Sequence, residues 1–334
     1  MAMVSAALFV LLQFGAAAAA TVSIDCDGVQ SAGYRVLSLD DGRKVAVWYP
    51  AAAPEKPVAY SRANYGFMGH VAPDAPALAS CPRVPLVLFS HDLGGCALQS
   101  IFITEELARH GYVVAAPDHR DAGCPIGSDE LKPLRTDKWF LSPEEWTDQS
   151  DVERLHDLRD TMHLIANDDA LAPIVDASNV GAMGHALGGY SVLGMAGAWP
   201  AWKTSEVKAV VALSAFVEPY VVRGLLGRMG VPVMYQVARN DRDLPRLEAE
   251  NQAFRLTAPP KYFVELKDTA HFDFEWTNLQ CLGQSSVAAC LKNKPNAAAI
   301  DRYAIEFLDR RLKGKAGAVV DSDRKDVSRY LRVE

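Results

Sequence analysis

The sequence lacks several features that mark common functional classes. After the first 20 residues it has no apolar run close to the roughly 20 residues that a membrane-spanning helix needs. It has no Cys-x-x-Cys pair and no Cys/His cluster, so we expect no metal site. It has no long basic run before its C-terminal tail, and a net charge of -7 opposes binding to nucleic acid. The 334 residues are 49% hydrophobic and 22% charged, which is typical of a globular protein with a sizeable core.

The N-terminus carries a short apolar block. Residues 4–14 (VSAALFVLLQF) are followed by Gly15 and a run of alanines that offers an A-x-A cleavage site near Ala20. This pattern predicts a signal peptide over residues 1–20 and a secreted or periplasmic mature protein, although no Lys or Arg precedes the block. An uncleaved membrane anchor is the alternative, but the block is short for a spanning helix. We therefore expect no stable membrane anchor after cleavage.

The cysteine count suits an exported protein. The six cysteines stand at positions 26, 81, 96, 124, 281 and 290, and an even number in an exported chain often forms disulfides. Cys281 and Cys290 close the shortest loop before the last predicted helix, so we favour that pair. We also predict a Cys96–Cys124 bridge, because both residues follow adjacent predicted strands at the same edge of the sheet.

The hydrophobic pattern predicts an α/β fold. Alternating residues in 33–39 and 44–50 around Asp-Asp-Gly predict a β-hairpin. Buried strands are predicted from a continuous apolar run at 85–90 and from mainly apolar stretches at 112–117, 207–216, 231–238 and 261–266. Apolar spacings of three and four predict helices at 97–110, 151–167 and 297–312. Strands that alternate with helices predict a mostly parallel sheet flanked by helices, and no linker divides residues 21–334, so we expect one domain.

Three segments are predicted to lie outside this framework. Residues 51–84 have no periodicity and are expected to form a long surface loop, in which Tyr65 could border a pocket. Residues 118–149 follow the carboxyl end of a strand and are predicted to form a lid or pocket wall, with an ordinary surface insertion as the alternative. Its candidate pocket residues are Trp139, Phe140 and Trp146. Residues 313–334 are charged and are expected to form a mobile tail.

The polar residues of the predicted helix at 151–167 are assigned to a solvated face.

A glycine-rich segment at 180–190 predicts a sharp turn from a strand into a helix. Gly184 and Gly188 lie two residues on either side of Ala186 in the sequence GHALG. This segment is similar to the nucleophile elbow, G-x-S-x-G, of the α/β-hydrolase family. Glycines at those places let the strand and the helix approach each other closely. The resemblance implies that Ala186 occupies the position of a nucleophilic serine.

The loop after the strand at 85–90 carries a second resemblance to that family. It reads His-Asp-Leu-Gly-Gly over residues 91–95, and in α/β hydrolases the corresponding loop supplies one amide of the oxyanion hole. The resemblance implies that the Leu93 amide is this donor and that the Leu187 amide is the second. Asp92 replaces a glycine of the family pattern. Because its charge would repel an oxyanion, we expect the side chain to point away.

Two further loops follow in the chain order of the family, which is nucleophile, acid and base. Asp241 lies in a turn that ends in proline after the strand at 231–238, and it is the predicted acid; Asp243 on the same turn is the alternative. His271, which is followed by Phe272 after the last apolar strand, is the predicted base. In such a site the imidazole accepts the serine proton and the carboxylate fixes its tautomer.

The resemblance is strongest to the predicted dienelactone hydrolase and platelet-activating-factor acetylhydrolase-like group. It implies hydrolysis of small-molecule esters or lactones through an acyl-enzyme, without a cofactor. Ala186 leaves two interpretations. Either the chain is an inactivated, serine-to-alanine form of a secreted esterase, or it is a natural, non-catalytic binding protein. The retained glycines, acid and base favour the first, because a site without chemistry has no need of them.

Overall fold

A mixed β-sheet forms the centre of the molecule. The computed structural model describes residues 28–60, 68–127, 138–241, 246–275, 295–315 and 325–334. Within this part, eleven strands form one sheet in the order β11-β10-β9-β8-β7-β5-β6-β2-β1-β4-β3. The strands are β1 Ser31–Ser38, β2 Lys44–Ala51, β3 Lys56–Ala59, β4 Met68–Pro73, β5 Val84–Ser90, β6 Val113–Pro117, β7 Val175–His185, β8 Val207–Leu213, β9 Val233–Ala238, β10 Lys261–Leu266 and β11 Val327–Val333.

Helices cover both faces of this sheet. They are α1 Ile101–Arg109, α2 Val152–Asn167, α3 Leu187–Met195, α4 Glu218–Arg223, α5 Arg246–Leu256 and α6 Pro295–Leu312. The apolar residues of α1 and α6 pack on one face of the sheet, and those of α2 to α5 pack on the other. The central strands β5 to β10 pair in parallel, whereas β2 with β1 and β6, β3 with β4, and β10 with β11 are antiparallel. The predicted α/β architecture is confirmed.

Two segments differ from their predicted structure. The proposed surface loop at 51–84 contains β3 and β4, which pair with each other and extend the edge of the sheet beyond β1. The proposed mobile tail at 313–334 contains β11, which pairs along the whole of β10. Both predictions were wrong for the same reason, since none of these three strands has the continuous apolar pattern of a buried strand and each is specified by pairing with a neighbour.

A disulfide joins the two loops that follow β5 and β6. Cys96 and Cys124 are bonded, with their Cα atoms 5.4 Å apart, so the predicted pair is confirmed. Cys81 is also in a disulfide, and none of the described cysteines is free. The predicted pair of Cys281 and Cys290 lies outside the described residues. No helix in the described ranges is long and apolar enough to cross a membrane.

The order in which strands are added to the sheet reverses between β5 and β7. These two strands are neighbours in the sheet although β6 lies between them in the chain. β5 leads toward α1 on one face, and β7 leads into α3 on the opposite face. Ser90 pairs with Gly184, so the loops after these strands begin side by side. The carboxyl ends of strands at such a switch point are where open α/β sheets bind ligands. The candidate site lies in this crevice.

Candidate active site

Ala186 forms the sharp turn between β7 and α3. Its backbone has φ 49° and ψ -110°, a conformation that residues other than glycine rarely adopt. Its N–H donates to the Leu213 carbonyl at 3.0 Å, and its own carbonyl accepts from the N–H groups of Tyr190 and Phe216. These bonds tie the turn to β8 and to the first turn of α3. The predicted strand-turn-helix geometry is present, with a methyl group where the family carries a hydroxyl.

The two elbow glycines permit the close approach that the turn needs. A Cβ on Gly184 would lie 2.3 Å from the Gly188 carbonyl oxygen. A Cβ on Gly188 would lie 2.0 Å from the Ser90 carbonyl oxygen on β5. Both distances are far inside van der Waals contact with backbone atoms. Any side chain at either position would therefore push α3 away from β5 and β7.

His271 and Asp241 form a buried hydrogen-bonded pair. Asp241 follows β9 and His271 begins a 3-10 turn after β10, and the His271 Nδ1 to Asp241 Oδ2 distance is 2.8 Å. Ser214 Oγ also donates to Asp241 Oδ2, at 3.1 Å. Because the carboxylate can only accept, His271 Nδ1 carries a proton and donates it in this bond. Asp243, the alternative acid, lies outside the described residues.

Asp92 occupies the place expected for an oxyanion. Its Oδ1 accepts the Leu93 N–H at 2.7 Å and the Leu187 N–H at 3.1 Å, so the two predicted amides converge on one oxygen atom. Its Oδ2 lies 3.7 Å from His271 Nε2. The expectation that this side chain points away was wrong. The Leu93 amide in the loop and the Leu187 amide at the N-terminus of α3 both donate to the carboxylate and stabilise its charge in this position.

A buried arginine holds the loop that carries Asp92. Arg154, on α2, is 1% exposed and donates to the carbonyl oxygens of His91 at 2.7 Å and Asp92 at 3.2 Å. It also pairs with Asp121 at 2.5 Å. Burial opposes ionisation of Asp121, but the Arg154 charge outweighs it and lowers the pKa of the carboxyl group. The assignment of Arg154 to a solvated face was wrong, because the helical pattern does not reveal a partner on another loop.

One family comparison covers this part of the chain. The model of the family Platelet-activating factor acetylhydrolase, isoform II, matches residues 62–159, which is less than a third of the sequence. The matched region contains β5, the loop with Asp92, and the start of α2 with Arg154. The chain has the α/β-hydrolase fold. The match supports an ester hydrolase function in general terms. Curated proteins give no match to this sequence.

A second serine-histidine-aspartate arrangement lies beneath the α/β-hydrolase site. His119 Nε2 is 2.9 Å from Ser90 Oγ, and its Nδ1 is 2.8 Å from Asp157 Oδ2. All three side chains are buried, and Asp157 also pairs with Arg43 at 2.6 Å. Burial and the nearby Arg154 charge lower the pKa of His119, so the ring is neutral. With no access to a substrate, this arrangement supports the end of β5 rather than providing a nucleophile.

His185 is a site residue that the sequence pattern did not reveal. It precedes Ala186, is fully buried, and its ring centroid lies 4.6 Å from that of His271. Gln99 accepts the Asp92 N–H through Oε1 at 2.8 Å, and its Nε2 lies 2.9 Å from His185 Nδ1, which is also 3.3 Å from Glu275 Oε1. His185 Nε2 is buried and has no hydrogen-bond partner among the described residues. No local sequence pattern indicates that His185 belongs to the site, because its contact with Gln99 joins residues that are far apart in the chain.

Asp92, His185 and His271 also form a cluster that resembles a metal site. One ligand atom from each lies within 4.8 Å of the other two. A metal needs a lone pair on each histidine. His185 Nδ1 lies 2.9 Å from Gln99 Nε2 and 3.3 Å from Glu275 Oε1, so this nitrogen is already engaged by two other side chains.

Aromatic side chains pack beside the elbow on the α2–α5 face. Phe140 is partly exposed and contacts Phe216 with ring centroids 5.1 Å apart. Trp146 is 1% exposed and packs against Tyr190 and Phe216, so it is a core residue rather than part of an open pocket. The other predicted pocket positions, Tyr65 and the side chain of Trp139, lie outside the described residues. Phe140 is therefore the partly exposed one of the two predicted pocket side chains that the structure describes.

Proposed function

We propose that the protein carries a serine-type carboxylic ester hydrolase site in which acyl transfer is inactive. The observation that supports this is the buried His271–Asp241 pair, at 2.8 Å, beside an elbow turn whose centre is Ala186. A general base oriented by a carboxylate is the arrangement that activates a serine hydroxyl. The partner is a small-molecule ester, and Phe140 beside the elbow favours small or aromatic acyl groups.

Two groups block the acyl-enzyme route. Ala186 has no oxygen to attack an ester, and the Asp92 carboxylate fills the amides that would hold the oxyanion. In comparable triads, loss of the serine lowers turnover by about a millionfold. A single serine-to-alanine change accounts for Ala186 but not for Asp92. Asp92 therefore favours the second candidate, a natural binding protein that holds an ester or carboxylate without turnover.

A comparison of four proteins tests the proposal: the chain itself, Ala186→Ser, Asp92→Gly, and the double variant. The double variant should be labelled covalently at residue 186 by a fluorophosphonate and should hydrolyse short or aromatic esters. Ala186→Ser alone should react far more slowly, because Asp92 still fills the oxyanion hole. Asp92→Gly alone should show neither reaction.

The base and acid provide the control for this comparison. In the double variant, His271→Ala should lower turnover by at least ~10³-fold, and Asp241→Asn should lower it strongly as well. A correctly folded double variant without labelling or ester turnover would reject the esterase proposal. Tight binding of an ester or carboxylate by the unmodified chain would then support the binding-protein candidate.

Export is the second part of the proposal. The apolar block at residues 4–14 and the Cys96–Cys124 disulfide support an oxidising compartment outside the cytoplasm. The mature protein should begin near Thr21, and N-terminal sequencing of exported material measures this directly. Recovery of the exported protein with Met1 intact would contradict signal cleavage.

A further inference from the structure

A buried ion cluster joins the edge hairpin, which is formed by β3 and β4, to helix α1. We propose that Glu105 of this cluster is a pH-dependent latch: its protonated form holds the edge hairpin on α1, and its ionised form lets the hairpin open. The edge hairpin lies at the end of the sheet opposite β11. The inference does not rest on the proposed esterase function.

The edge hairpin has little backbone pairing with the rest of the sheet. β4 pairs with β1 at two positions, Gly33 with Ala72 and Tyr34 with Pro73, and a proline has no N–H to donate. β1 and β2, by comparison, pair along all eight residues of β1. Side-chain contacts therefore supply much of the attachment of the hairpin, and their strength decides how easily it opens.

Glu105 on α1 provides these contacts to both strands of the hairpin. Its side chain is 0% exposed and accepts the Tyr60 hydroxyl at 2.6 Å and the His70 N–H at 3.2 Å. Tyr60 follows β3, and His70 lies in β4. The backbone at Gly69 packs directly on the carboxyl group, because a Cβ there would lie 2.2 Å from Glu105 Oε1. The hairpin cannot leave α1 without exposing Glu105 to water.

The cluster has more carboxyl groups than permanent positive charges. Arg109 pairs with Glu55 through two nitrogen atoms, at 2.9 and 3.1 Å, and with Glu106 at 3.0 Å. Its bond to Glu105 is longer, at 3.2 Å. The two-point pair with Glu55 already compensates the guanidinium charge. Glu105 is therefore a surplus carboxyl group in a buried position, where the neutral form is favoured.

Other titratable groups reach the cluster from every element packed against it. They are Glu106, Arg109 and His110 on α1, Glu55 before β3, Tyr60 after β3, His70 on β4, Tyr34 on β1 and Asp301 on α6. Arg109 is the one member of this set with a permanent positive charge. Burial raises the pKa of Glu105 to about 7, although Arg109 and the hydrogen bonds oppose the rise. Burial also raises the pKa of Asp301 well above its ordinary value.

The direction of the pH effect follows from these surroundings. In an open hairpin, Glu105 meets water and has its ordinary pKa of 4.5. A carboxyl group whose pKa is higher in the docked state favours docking most strongly below about 4.5, and this contribution is lost as the pH rises to about 7. Acidification therefore closes the latch. Protonation of His70, whose Nδ1 lies 2.9 Å from Glu55, acts in the same direction because it adds a positive charge to the acid-rich cluster.

Amide hydrogen exchange of the intact chain measures the opening. Mass spectrometry follows peptides from β3, β4 and β8 at pH 5.5 and pH 7.5, with correction for the intrinsic exchange rate at each pH. We expect the protection of the hairpin to fall by about tenfold or more from the lower to the higher pH. The hairpin should exchange faster than β8 at both pH values, since it opens locally. Equal protection of the hairpin at the two pH values, or hairpin exchange as slow as that of β8, would overturn the proposal without any variant.

Glu105→Gln distinguishes a latch from an ionised structural partner of Arg109. Glutamine has nearly the same shape and is always neutral, so the variant at pH 7.5 should protect the hairpin at least as well as the wild-type chain does at pH 5.5. Lower protection than in the wild-type chain at both pH values would show that the ionised carboxylate holds the hairpin, and the proposal would fail. Glu106→Gln removes another carboxylate beside Arg109 and is the matched control, which should keep the pH dependence.

His70→Gln separates the two groups that gain a proton on acidification. If Glu105 is the latch, this variant keeps most of the pH dependence of hairpin protection. Loss of the dependence in His70→Gln, together with its persistence in Glu105→Gln, would assign the effect to the histidine and contradict the role of Glu105.

Discussion

The Asp92 carboxylate accepts the N–H of Leu187 at 3.1 Å, and this bond joins the loop after β5 to the first residue of α3. The N-terminus of a helix carries partial positive charge from its unpaired amides, which stabilises an anion placed there. The chain therefore supplies its own anion to a site that in serine hydrolases receives charge only during reaction. The proposed loss of acyl transfer depends partly on this contact, since it fills an amide that would otherwise hold an oxyanion.

The strained turn at residue 186 predicts an unusual stability effect. Ala186 has φ 49° and ψ -110°, a conformation that costs about 1–3 kcal/mol for a residue with a Cβ. We expect Ala186→Gly to raise the free energy of unfolding by roughly 1 kcal/mol, even after the entropy cost of glycine in the unfolded chain. Urea denaturation measures the change. Ala182→Gly in the middle of β7 is the matched control and should be destabilising, so a loss in both variants would contradict the strain.

The elbow glycines predict a steric effect with a matched control. Gly188→Ala would place a Cβ 2.0 Å from the Ser90 carbonyl oxygen, which is a backbone atom and cannot turn away as a side chain can. We expect a loss of at least ~3 kcal/mol in unfolding free energy, or failure to fold. In Gly227→Ala the new Cβ would meet only the Leu256 carbonyl oxygen, at 3.3 Å, and the change should be small. Equal melting temperatures for the two variants would refute the close approach.

The disulfide predicts a stability loss localised beside the site. Cys96 and Cys124 are separated by 28 residues, and closing a loop of that length stabilises a protein by roughly 3–4 kcal/mol in the chain-entropy view. The double variant Cys96→Ala and Cys124→Ala should lose about this amount in urea denaturation. Reduction of the wild-type chain also opens the disulfide of Cys81, so the loss should be at least as large. A double variant as stable as the oxidised wild-type chain would show that the bridge contributes little to the free energy of unfolding.

The parts of the fold that the sequence predicted are those with local signals. β5 and β8 are continuous apolar runs, and the Asp-Asp-Gly turn between β1 and β2 has hairpin chemistry, so their patterns specify them directly. The edge strand β11 lacks such a signal, because its residues are partly exposed and charged and its structure comes from pairing with β10. Pattern alone therefore missed the strands at the edges of the sheet.

The site residues likewise divide into those that the sequence predicted and those that it did not. Ala186, Asp241 and His271 lie at the ends of strands in a fixed chain order, so their placement followed from the family resemblance. The direction of the Asp92 side chain did not, because it depends on an amide from α3, 95 residues away in the chain. Burial of Arg154 likewise depends on Asp121 in another loop. Contacts of this kind are decided by tertiary packing, which a single sequence does not encode in any local pattern.

The buried pair of Asp157 and His119 predicts a pH-dependent contribution to stability. Burial by itself raises the pKa of Asp157, but the hydrogen bonds from His119 and Arg43 outweigh it and lower the pKa from the ordinary 3.8 to about 2. A carboxyl group with a depressed pKa in the folded state stabilises the protein above its unfolded pKa, and the contribution is lost as the pH falls from about 4 to about 2. The shift corresponds to about 2 kcal/mol. Asp157→Asn should therefore lower the free energy of unfolding by about this much at pH 7 and by clearly less at pH 3, measured by urea denaturation.

Asp160→Asn, at an exposed position on the same helix, is the control and should have little effect at either pH. A cost of Asp157→Asn that is the same at both pH values would contradict the ionised, paired carboxylate.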